Sequence, residues 1–188
     1  EPLALLALAA LVHGWRKLAF LSALAAASMH PLMLLPVAVV GWVWLAHENR
    51  RWAWLALPVF AAIVGLALAG VAPFTSLLAR YDDAWLSVVQ ISNPFVFPGN
   101  WAVSSWSLTL GVLAFLTWGT QRLPTRLHLL ARATALATLL LLLLSTVASD
   151  WAHNVLLTQL QLWRALWIAH LPTSIAASLS ASGKVGWA

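Results

Sequence analysis

Residues 139–144 are six consecutive leucines, set within a stretch, 129–148, whose only charge is Arg132 near one end. Leucines in unbroken succession wrap every side of a helix, so no face is left for water. Two further stretches, 52–72 and 101–120, carry no charge at all. About 20 apolar helical residues cross the hydrocarbon core of a bilayer. These stretches therefore predict an all-α, polytopic integral membrane bundle with spans at about 52–72, 101–120 and 129–148.

Composition closes off the soluble alternatives. Of 188 residues, 62% are hydrophobic and 8% charged, whereas a soluble domain carries about a quarter charged residues to solvate its surface. Thirteen Trp against one Tyr suit a membrane interface better than a water-soluble core. The net charge of +5 does not indicate nucleic acid. The basic residues fall in short groups between apolar runs (Arg16-Lys17, Arg50-Arg51, Arg122 with Arg126 and Arg132), as topology-setting loops do and a phosphate-binding stripe does not. Without cysteine there is neither a disulfide nor a thiolate metal site. No phosphate-cradling glycine loop, zinc motif or serine nucleophile elbow is present. The chain starts inside an apolar run, 2–12, without a basic leader, and reads as a single transmembrane domain, 1–188, cut from a longer protein.

The segment 18–46 is charge-free but too long for one ordinary span, and His30-Pro31 and Pro36 interrupt it. If Arg16-Lys17 and Arg50-Arg51 share a side, it enters and returns as a broken or re-entrant hairpin with His30-Pro31 at its tip. The alternative is one long kinked helix. Counting Lys and Arg puts 47–51 and 121–128 inside, and 74–100 and 149–161 outside. Two amphipathic stretches are expected along the interface. In 75–90, Leu78, Tyr81, Trp85 and Val88 recur at helical spacing. In 155–171, Leu156, Leu160, Trp163 and Trp167 form a stripe, with Gln161 and Arg164 paired on the opposing face. A further crossing is expected to begin within 172–188.

This topology sends the informative polar residues to one side. Asp82 and Asp83 are the candidate catalytic carboxylates. Such a group can act as general base towards an acceptor hydroxyl or hold a divalent cation beside a phosphate. Adjacent helical residues diverge by about 100°, which argues against a shared ligand and equally permits both to solvate a surface helix. Arg164, with Gln161 beside it, is a candidate lipid-phosphate clamp or a snorkelling cation. His30, in an apolar setting, either contacts phosphate or satisfies a carbonyl freed by the proline break. Asp150 and His153 complete the polar outer face as loop residues, too few for a metal site.

Three phrases carry a family likeness. They are His30-Pro31-Leu32-Met33, then Asp83-Ala84-Trp85-Leu86 followed by Asn93-Pro94-Phe95-Val96-Phe97 and Trp101, and Gln161-Leu162-Trp163-Arg164-Ala165-Leu166-Trp167. Across 13–171 the chain resembles bacterial polytopic proteins of the GT-C glycosyltransferase superfamily. The resemblance implies a polyprenyl-phosphate-linked sugar donor, transfer at the periplasmic face of the inner membrane, and a catalytic acid in a first large outer loop that these residues do not include. Asp82 and Asp83 match a later outer-loop phrase. Two other classes stay open: a non-catalytic subunit with protein partners in a larger membrane assembly, and a transporter fragment, for which a broken helix with a midplane histidine is the relevant sign. Membrane lipid is a partner under every reading.

Overall fold

The computed structural model describes residues 2–121 and 123–170. The predicted crossing within 172–188, Arg122 and Leu171 lie outside them. The described residues form helices and turns, with one isolated antiparallel bridge pair, Arg80 with Asn154. Among the described residues three helices are long and apolar enough to cross a membrane, namely Pro31–Glu48, Arg50–Leu68 and Thr125–Trp151. Val103–Gly119 and Pro2–Val12 are shorter apolar helices. The stretches 52–72 and 129–148 thus fall on two of the long helices, and 101–120 falls on the shorter Val103–Gly119. The third long helix is the second half of the interrupted segment 18–46.

Helix α1 (Pro2–Val12) ends in a turn at Gly14, whose φ of +80° is open to glycine at no steric cost. Helix α2 (Arg16–Met29) follows and stops at His30, which is extended at φ −155° and ψ 82°. The residue before a proline is pushed out of the helical region, and Pro31 fits the first position of α3 (Pro31–Glu48), where no amide hydrogen is required. Arg16 at the start of α2 donates to the Glu48 carboxylate at the end of α3, at 3.5 Å. The two helices therefore double back on each other, with His30-Pro31 at the turn.

A 3-10 turn, Arg50–Leu55, runs into α4 (Ala56–Leu68). Then come α5 (Asp83–Ser92) and α6 (Val103–Ala114), which finishes in a π-turn, Phe115–Gly119. Helix α7 (Thr125–Thr146) also ends in a π-turn, Val147–Trp151, and leads to the short α8 (Val155–Gln159). A 3-10 turn, Leu162–Arg164, and a helical stretch at 165–170 close the described chain.

The bundle is organised on α7. Its Ala133 and Ala137 meet Leu8 of α1, Val40 and Trp44 of α3, and Ile168. Ala131 and Ala135 meet Val112 and Leu116 beside them, and Leu141 meets Leu162 and Ala165. Alanines at these places let backbones approach closely, which matters in lipid, where packing rather than water exclusion holds helices together. Helix α4 is the opposite case. It buries Ala67 alone, and Leu57, Val59, Phe60 and Leu68 are all exposed. Apolar surface on that scale is solvated by hydrocarbon rather than by water.

The two amphipathic stretches do not form as single helices. Over 75–90 the chain makes a 3-10 turn, Phe74–Leu77, and begins α5 only at Asp83. Tyr81 is drawn out of the helix because its amide donates to the His153 carbonyl at 3.0 Å. Over 155–171 the helix breaks at Gln161, which takes a left-handed φ of +49°.

Candidate functional site

Contacts sort the loops into two ends. At one end Arg126 Nη1 donates to the Val12 carbonyl at 2.9 Å, and Arg16 meets Glu48. Lys17, Arg50 and Arg51 adjoin these residues in the chain. At the other end lie the α2–α3 turn, the loops at 77–82 and 93–100, and the segment from Asp150 to Arg164.

Asn154 fastens this second end. Its Oδ1 accepts from the Leu157 amide at 3.0 Å, capping α8. Its Nδ2 donates to the Leu77 carbonyl at 2.7 Å, and the Val155 amide donates to the Ala79 carbonyl at 3.2 Å. Chain segments more than seventy residues apart in sequence are thereby joined by one side-chain and one main-chain donor. Tyr81 is buried there against the edge of Trp85, and burial pushes its phenol pKa up, so it stays protonated at neutral pH.

The candidate carboxylates have different surroundings. Asp82 is not within a helix. It is the N-cap of α5, with Oδ1 accepting from the Trp85 amide at 2.7 Å. Asp83 is exposed in the first turn of α5, where the helix dipole favours a negative charge. Asp150 is held by the Gly99 amide, which donates to its Oδ2 at 2.9 Å. A Cβ at position 99 would stand 3.2 Å from the Asp150 carboxyl carbon, so any larger residue would press the carboxylate back by a few tenths of an ångström. His153 takes a left-handed φ of +49°, a conformation few non-glycine residues adopt. It presents its carbonyl to Tyr81.

Arg164 and Gln161 are brought together. The Arg164 Nε donates to the Gln161 side-chain oxygen, although a break rather than a continuous helix separates them. Arg164 Nη1 lies 4.0 Å from Met33 Sδ in the first turn of α3, and the Met33 amide donates to the His30 carbonyl. The guanidinium carbon lies 5.7 Å from the Trp163 ring centroid, and the Phe95 ring, in the turn Pro94–Val96 after α5, lies tilted 6.1 Å from it. Arg164 is half-buried and has no carboxylate partner among the described residues. The His30 ring is exposed and makes no hydrogen bond among the described residues. Gln161, Arg164 and the His30 turn thus form one neighbourhood. Asp82 and Asp83 reach it only indirectly, through α5 and the Phe95 turn that follows. No group of three or more His, Cys, Asp or Glu among the described residues could hold a metal ion.

Sequence reasoning overlooked Asn154 and Gly99. Both left a local signal: an Asn directly before an apolar helix, and a Pro-Gly-Asn turn.

The fold defines an all-α protein with helices apolar and long enough to cross a membrane. Comparison with family models, curated proteins and solved structures finds no match.

Proposed function

We infer that this chain binds a polyprenyl-phosphate-linked sugar at the Arg164 end, as part of a GT-C-like membrane glycosyltransferase of the bacterial inner membrane. The observation that supports this reading is the half-buried Arg164 guanidinium, oriented by Gln161 and lacking an acidic partner among the described residues. A cation held near lipid calls for a counter-anion, and guanidinium matches phosphate oxygens bidentately. His30 would lie at the tip of a re-entrant hairpin beside it, α5 would rest on the interface, and this end would face the periplasm. Asp83 would serve the acceptor hydroxyl.

The second reading, a non-catalytic subunit, has its own support: the Asp82 and Asp150 carboxylates are both committed to backbone amides. A group engaged in this way is poorly placed to exchange protons with a substrate.

Two measurements test the proposal. With no native cysteine in the chain, Asp83→Cys and Pro124→Cys should label from opposite sides of the membrane, and labelling from the same side overturns the orientation. Arg164→Ala should weaken binding of a polyprenyl-phosphate analogue about tenfold or more, the worth of a charge-assisted hydrogen bond. Gln161→Ala, which removes the orienting group, should weaken it less. Unchanged affinity in Arg164→Ala returns that residue to an interface anchor. Binding without sugar transfer in the full-length protein favours the subunit.

A further inference from the structure

The end opposite Arg164 holds a second lone cation. A groove of about 300 Å³ opens between α3, the π-turned end of α6, and α7. Its walls are chiefly apolar, with Leu113, Leu136 and Leu139 among them, and Arg132, His47 and Thr117 supply the polar groups. Arg132 lies about two turns into α7. It forms no ion pair among the described residues, where Arg16 with Glu48 is the one salt bridge. Glu48, the acid nearest His47 in the chain, is already engaged by Arg16 and by the Trp44 indole at 3.1 Å.

We propose that this groove is a binding site for an anionic phospholipid of the leaflet at the basic end. The phosphate sits between Arg132 and His47, and an acyl chain lies along Leu136 and Leu139. Three features favour this occupant over a protein segment. A guanidinium inside a membrane-spanning helix is costly without a counter-ion, and the described protein provides none. The groove combines one charged end with an apolar length, which is the shape of a lipid. Arg16, Lys17, Arg50, Arg51 and Arg126 gather at the same end, and such an end seeks an anionic leaflet. The wall from α6 is made by Leu113 and by Thr117 in the π-turn Phe115–Gly119, a local widening of the kind often found at functional positions. The Thr117 hydroxyl, in the groove lining, donates to the Leu113 and Ala114 carbonyls.

The proposal does not depend on the function inferred for Arg164, since the two sites lie at opposite ends and take different lipids. The test uses the full chain in nanodiscs of phosphatidylglycerol and phosphatidylcholine in equal amounts, released into native mass spectrometry. The wild type should retain phosphatidylglycerol in preference to phosphatidylcholine, and Arg132→Gln should lower that retention about tenfold. Leu136→Trp, which fills the groove and keeps every charge, should lower it as well, and carries the test if Arg132→Gln fails to fold. Equal retention of both lipids by the wild type, or undiminished phosphatidylglycerol in a folded Arg132→Gln, overturns the proposal and leaves Arg132 snorkelling to the interface.

Discussion

Trp44→Ala destabilises the bundle by about 3 kcal/mol, the largest loss expected from a single truncation. Trp44 is 2% exposed and belongs to the cluster that joins α1, α3 and α7. In water such a truncation costs about 3–5 kcal/mol. In lipid the transfer part falls away, because apolar surface released from the protein meets hydrocarbon. The cavity part remains, at about 24 cal/mol per Å³, or about 2 kcal/mol for a void near 100 Å³. The indole hydrogen bond to Glu48 adds about 1 kcal/mol. Its loss also frees the carboxylate that holds Arg16, so the α2–α3 pair loosens with the core. Trp44→Phe keeps most of the volume and should cost about a third as much. Unfolding in mixed micelles of rising dodecyl sulfate content measures both. A Trp44→Ala protein as stable as wild type would mean that α3 does not pack against α1 and α7 as described.

Asn154→Ala costs about 2–3 kcal/mol, and the damage is local. The substitution removes the α8 cap, worth about 1 kcal/mol, and leaves the part-buried Leu77 carbonyl without its donor, worth about 1–2 kcal/mol. Asn154→Asp separates the two roles. It keeps an oxygen for the Leu157 amide but cannot donate to Leu77, so its loss should be intermediate. Hydrogen exchange should show the amides of 77–81 and 153–157 losing protection together in the alanine variant. Unaltered exchange at 77–81 would remove Asn154 from its role as the fastening.

These two residues show what could be read from the sequence and what could not. Spans follow from charge-free length, which is a local property, so 52–72 and 129–148 were legible to within a few residues. The break at His30 was legible for the same reason, since Pro31 acts on its immediate neighbour. The stretch 75–90 was misread because helical spacing of Leu78, Tyr81, Trp85 and Val88 says nothing of the strand-like pairing that His153 imposes on Tyr81 from far along the chain. The cap made by Asp82 was hidden for the same reason. Its capping role depends on where α5 begins, and that start is set by the pairing. Arg164 and Gln161 were legible as partners at i, i+3, and the Met33 sulfur they face was not, being 131 residues away.

Acidic and basic side chains are used differently in this fold. Asp82 accepts from an amide in the first turn of α5 and Asp150 from the Gly99 amide of a distant loop, whereas Arg132 and Arg164 have no acidic partner among the described residues. Glu48, Asp82 and Asp150 are thus engaged within the protein, Asp83 stands exposed, and the guanidiniums of Arg132 and Arg164 lack a carboxylate among the described residues.

Helix α4 packs mainly against the turns at its own two ends, Arg50–Leu55 and Phe74–Leu77, and exposes the rest. A span with few protein neighbours has little to fix its tilt. In a thinner bilayer it can lean, and in a thicker one stand upright, at a cost below about 1 kcal/mol per Å of mismatch. Helices α3 and α7, locked through Trp44 and the alanines, cannot follow. Variation in membrane thickness is therefore taken up at the periphery of the molecule, and the spacing between its two charged ends is preserved.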